Sequence, residues 1–131
     1  MIKPHHFGFV FPMSKLKYLK KKYKKSIIDD KQENYIFFDY SRRLKLWLEY
    51  IVPYSTKSTV YNFSLLKNIK KIHHYGFKVN NLELEKKKML KNDYILINSF
   101  TIEVPYFGGK IKTNFFSDGK NLIEHLDNVK K

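Results

Sequence analysis

"KKIHHYGFKVNN", Lys70 to Asn81, is the stretch on which the reading of the whole chain turns. Its first half reads as the end of a helix carrying His73 and His74, with Gly76 suited to the helix terminus. "FKVNN" then alternates as a strand does, with Phe77 and Val79 on one face, and Asn80-Asn81 suits a tight turn. Upstream, Ser64 stands in the position of an N-cap, so the pattern predicts a helix over 64–75. Leu65, Leu66, Ile69 and Ile72 would form its buried stripe, and Lys67, Lys70, Lys71 and His74 would share the opposite face.

The neighbouring segments extend this pattern. "SRRLKLWLEYIV", from Ser41, reads as a helix capped by the serine and stopped at Pro53, with Leu44, Trp47, Leu48 and Ile51 on its apolar face. "PYSTKSTVYNF" is a polar connection. Downstream, "KNDYILI" supplies a turn and a β-rich run, and "FTIEVPYFGGKIKTNFF" reads as a hairpin about Gly108-Gly109. Asp118 caps a last expected helix in which Leu122, Leu126 and Val129 share one side. Towards the other end, residues 1–13 read as aromatic and irregular, broken by Pro4, Gly8 and Pro12. "SKLKYLKKKYKK" reads as a short helix or a basic arm, and "NYIFFDY" as a strand or a helix start.

With 131 residues the chain is one domain or a small domain with extensions. The absence of cysteine excludes disulfides and Cys-based zinc sites, and no apolar run is long enough for a membrane span. A formal charge of +14 points to a polyanionic partner. The 24 lysines against two arginines, with no alanine, also carry the mark of AT-rich codons, which discounts that signal. Residues 1–28 hold no acid, as in a mitochondrial presequence, yet they are poor in Arg and Ser and lack an amphipathic period, so an uncleaved basic arm is expected.

Helix, basic helix, strand with Val79-Asn80-Asn81, spacer, then Lys91-Asn92-Asp93-Tyr94-Ile95 form an ordered set. With Arg43-Leu44 opening the first helix, and Ser64 and His74 bounding the second, this set resembles the S-four type RNA-binding domain of the small-subunit ribosomal protein S-four family. Asn81 stands in place of the family's turn glycine, and Lys45 in place of its acid. The resemblance implies an α+β fold in which two helices and a small antiparallel sheet span 41–98. A basic aromatic extension over 1–40 precedes it, and a hairpin with a short helix over 99–131 follows. It further implies a structural protein of a mitochondrial ribosome, in the matrix, with ribosomal RNA and neighbouring ribosomal proteins as partners. No membrane and no small-molecule substrate is expected. The rivals are a free-standing module of the same type and a basic scaffold subunit of an organellar complex.

On this reading, Arg42, Arg43, Lys45, Lys67, Lys70, Lys71, His74, Lys78 and Asn80 meet RNA, and Lys20, Lys21, Lys22, Lys24 and Lys25 form the arm. No enzyme motif, cofactor or metal is expected. Neighbouring residues on a helix point about 100° apart, so His73-His74 does not suit one ion as a pair, and no metal is expected at His5-His6 either.

Overall fold

The computed structural model describes residues 2–66 and 72–129, which fall into two compact units, 7–73 and 1–6 with 74–131. Among the described residues the chain is dominated by eight strands, and no helix is long and apolar enough to cross a membrane.

In the 7–73 unit, the second half of strand β1 (Ile2–Val10) leads through a 3-10 turn, Met13–Lys15, into helix α1 (Leu16–Lys22). Strands β2 (Ser26–Asp29), β3 (Asn34–Ser41) and β4 (Leu46–Pro53) follow, then one helical turn, α2 (Tyr61–Ser64). The strand order is β2-β3-β4-β1, with β2–β3 and β3–β4 antiparallel. Leu19 of α1 drops onto Phe37 and Val52, walled by Phe11, Leu16, Tyr23, Tyr35 and Tyr50. Each such fully buried apolar side chain contributes about 1.5–3 kcal/mol.

In the other unit, the first half of β1 is followed in the sheet by β5 (His74–Val79), β8 (Leu122–Asn128), β7 (Gly109–Ser117) and β6 (Ile95–Val104). β5 lies parallel to β8 with Gly76 opposite Glu124, and β7 is antiparallel to both β6 and β8. β6 and β7 turn at Gly108-Gly109, whose φ angles of 97° and 111° glycine tolerates best. The connection between the parallel strands β5 and β8 runs through helix α3 (Leu82–Lys91) and then the β6–β7 hairpin. Asn81 caps it by accepting from the Leu84 N–H at 3.0 Å, with Glu83 and Glu85 at its positive end and Lys88 and Lys91 at its negative end.

The two-helix module is therefore replaced by strands. The segment from Ser41 is a turn at 42–45 and then β4. Ser41 does accept a cap-like bond, from the Leu44 N–H at 3.1 Å, but the turn it closes joins β3 to β4. The described ends of the segment expected as helix 64–75 are not one helix. α2 ends at Ser64, His74 opens β5, and residues 67–71 lie outside the described residues. Asn80-Asn81 leads into α3 instead of a hairpin. The last helix is β8, and the irregular start is β1. In β1 the buried positions are His6, Gly8 and Val10, while Phe7 and Phe9 are half-exposed. The inward set is small or polar and the outward set aromatic, which inverts the usual strand signal.

Candidate metal centre

Alternation along a strand sends every second side chain to the same face. His74, Gly76 and Lys78 of β5 share a face, as do Leu122, Glu124, Leu126 and Asn128 of β8. The pairing of Gly76 with Glu124 makes these one face of the sheet. The buried imidazole of His6 from β1 is added to it.

Three donor atoms converge there. His6 Nε2 lies 3.0 Å from His74 Nε2 and 3.0 Å from Glu124 Oε1, and His74 Nε2 lies 3.2 Å from the same oxygen. All three residues are buried. Ligand atoms about 2.1 Å from one ion stand about 3.0 Å apart when the angle between them is 90°, and about 3.4 Å apart at a tetrahedral angle. The observed triangle thus fits one face of an octahedral ion, and two imidazoles with a carboxylate are an apt donor set for a divalent transition metal. His6 and His74 offer ring nitrogens close enough to share such an ion.

The surroundings hold the donors in place. The Thr113 hydroxyl, on β7, donates to Glu124 Oε2 at 2.6 Å, which leaves Oε1 aimed at the histidines. The Phe107 ring stacks on His6 at 5.4 Å between centroids, and Phe115 meets His74 edge-on at 5.3 Å. Gly76 gives His6 its room, because a Cβ there would lie 2.1 Å from His6 Cε1. Burial by itself would push the Glu124 carboxyl up. The charge and hydrogen bond of His6, with the hydrogen bond and charge of His74, outweigh it and hold the group well below the ordinary range. Glu124 is therefore an anion at neutral pH, as a metal ligand must be. His5 is pushed down to about 4 by burial first, then by the positive charge of His6, with Lys78 adding to the effect and Glu124 opposing it.

Of the described residues expected to face RNA, only His74 and Lys78 stand on this face. His74 is a candidate ligand, and Lys78 donates to Asn128 Oδ1 at 2.9 Å. Asn80 is exposed beyond the end of β5. Arg42, Arg43 and Lys45 are exposed in the β3–β4 turn. Lys20, Lys21 and Lys22 ride on α1, and Lys24 and Lys25 follow it, all exposed, with Lys20 over the Tyr35 ring and Lys25 over Trp47. Lys67, Lys70 and Lys71 lie outside the described residues. Among the described residues no common helix face gathers these basic side chains. The roles of His6, Thr113 and Glu124 leave no mark in the local sequence. The centre takes one histidine from each pair, 68 residues apart, and a glutamate 118 residues from His6. No local motif spans such distances.

No family model matches this chain, and no curated protein matches it in sequence. Solved structures do match in fold. The methylmalonyl-CoA epimerase of Mycobacterium tuberculosis superposes with a TM-score of 0.73 at 14% identity, covering 98% of this chain and 89% of that one. A hypothetical protein from Bacillus halodurans C-125 gives 0.74 at 20% identity, covering 99% and 96%. A Streptomyces coelicolor methylmalonyl-CoA epimerase bound to 2-nitronate-propionyl-CoA gives 0.67 at 12%, covering 98% of each. The shared property is the fold, one that enzymes carry. The S-four resemblance, the ribosomal role and its RNA-binding character are corrected accordingly, because this chain folds as an eight-stranded sheet and its fold matches methylmalonyl-CoA epimerases instead of a two-helix RNA-binding module. The same finding removes the grounds for a ribosomal RNA partner and for excluding a small-molecule substrate.

Proposed function

We propose that this chain is a metal-dependent enzyme acting on a small carbonyl compound that also carries an anionic group. The observation that carries this reading is the convergence of His6 Nε2, His74 Nε2 and Glu124 Oε1 in one buried triangle. A divalent ion bound there would polarise a carbonyl oxygen and ease loss of a proton from the adjacent carbon. The chain's own side chains hold the ion's place, and Thr113 orients the carboxylate from behind. Phe107 and Phe115 cover the imidazoles and keep bulk water from them, which strengthens every electrostatic contact inside. Lys78 stands on the same face of β5 as His74. Its ammonium has donors beyond the one given to Asn128, suited to a carboxylate or phosphate on the substrate. The acyl-CoA thioesters seen in the epimerases of this fold are carbonyl compounds with anionic groups of this kind.

The test has two stages. Metal content is measured after dialysis of the wild-type chain, His6→Ala and Glu124→Ala against Co2+, Ni2+ or Zn2+. The loaded chain is then incubated in D2O with methylmalonyl-CoA and related 2-substituted acyl thioesters, and deuterium at the α-carbon is followed by NMR. One ion per chain, lost in both variants, with metal-dependent exchange is expected. A wild-type chain that retains no ion and exchanges no substrate would reduce the triangle to a structural hydrogen-bond cluster.

A further inference from the structure

We infer that His5 is a positioning residue which fixes the tautomer of its neighbour His6 and so aims the His6 Nε2 lone pair at the metal position. This rests on the metal-centre reading and deepens it. His5 Nδ1 and His6 Nδ1 are 2.8 Å apart, a hydrogen bond that holds one proton between two ring nitrogens. A neutral imidazole has one N–H and one lone pair, so the placing of that proton decides what the far nitrogen of each ring offers. For His6 to ligate through Nε2, its Nδ1 must carry the hydrogen and donate it to His5 Nδ1. Metal-bound histidines usually give this second N–H to a carboxylate, a carbonyl oxygen or water. Here an imidazole next in sequence takes that part.

The packing holds both rings to this bond. Phe107 meets His5 edge-on at 4.5 Å and stacks on His6 at 5.4 Å, so a single side chain bounds both rings. Gly76 leaves no Cβ on the remaining side of His6, and the ring sits where that atom would be. His6 Nε2 is left facing His74 Nε2 and Glu124 Oε1. His5 itself offers no nitrogen to that triangle, which separates its role from that of a fourth ligand.

The test uses the 15N-labelled full chain loaded with Zn2+, which is diamagnetic, together with Co2+ titrations. In the wild type, NMR should show the bridging proton bonded to His6 Nδ1, with scalar coupling across the hydrogen bond to His5 Nδ1. His5→Phe keeps a ring against Phe107 and removes the acceptor, and should lower Co2+ affinity by about 10–100-fold. His5→Asn returns a short-range acceptor oxygen and should recover most of that loss. The inference is overturned by a bridging proton found on His5, or by His5→Phe binding Co2+ as tightly as wild type. It is equally overturned if His5→Asn is no better than His5→Phe while both melt as cooperatively as wild type. A wild-type chain that takes up neither Zn2+ nor Co2+ removes the metal reading instead, and is recognised before any variant is made.

Discussion

At the scale of single residues, the centre depends on an atom that is missing. Gly76 has an ordinary negative φ, so its value lies in space alone, and a methyl group there would displace the His6 ring. Gly76→Ala should destabilise the fold by about 1–3 kcal/mol, as overpacking does. Metal affinity should fall by ten-fold or more as His6 is pushed off its aim. Gly119→Ala is the matched control. Its φ of 96° strains an alanine, but nothing lies within 4 Å of the added carbon. About 1 kcal/mol of stability should be lost there, with metal affinity unchanged. Denaturant melts and metal titration of the two variants separate steric displacement from general weakening, and equal metal affinities would refute the steric role of Gly76.

At the scale of elements, β7 and β8 act as one part, because the Thr113 hydroxyl of one holds the Glu124 carboxylate of the other. Thr113→Val keeps the shape and removes the donor. It should weaken metal binding by about 10–100-fold while the strands stay paired, which isothermal titration and amide exchange on β7 and β8 would show together. An unchanged affinity would mean that Glu124 is aimed by packing alone. These elements also show what was legible in the sequence. The β6–β7 turn was marked by its two glycines, and the strand character of "FKV" by its alternation. β8 was not. Leu122, Leu126 and Val129 fall at helical spacing, while its buried face includes Glu124 and its other face the buried His125, so period two is hidden by residues placed inward for chemistry or packing. β4 was hidden for a related reason. Leu46, Glu49, Ile51 and Val52 are buried on both faces, and a strand covered on both sides loses its alternation. The metal-type triangle was out of reach of any local pattern, because its three residues belong to three strands brought together by tertiary pairing.

At the scale of the whole molecule, the buried histidines make stability depend on acid. His5 titrates at about 4 in the folded chain against an ordinary 6.5, and His125 is also lowered, by burial above all and against the opposing pull of Glu85 and Glu124. Between these values the unfolded chain binds more protons than the folded one, so stability rises with pH. The contribution is complete above about pH 6.5 and is lost as pH falls towards 4. The lowered Glu124 carboxyl adds a further loss below its ordinary value of 4.5. Allowing for partial exposure, His5 contributes about 1–2 kcal/mol to this slope. Urea melts of the metal-free chain from pH 4.5 to 7.5 should show the decline, and His5→Phe should flatten it. A flat wild-type profile would contradict the depressed histidines. The triangle itself joins positions 6, 74 and 124, so an ion there is a clasp fastened across most of the chain's length. Such a clasp closes only when distant strands have found one another, and its grip is then a readout of finished folding as much as of chemistry. Chelation of the loaded protein would accordingly act as a mild denaturant, withdrawing the stability that the bound ion adds without cutting a single covalent bond of the chain.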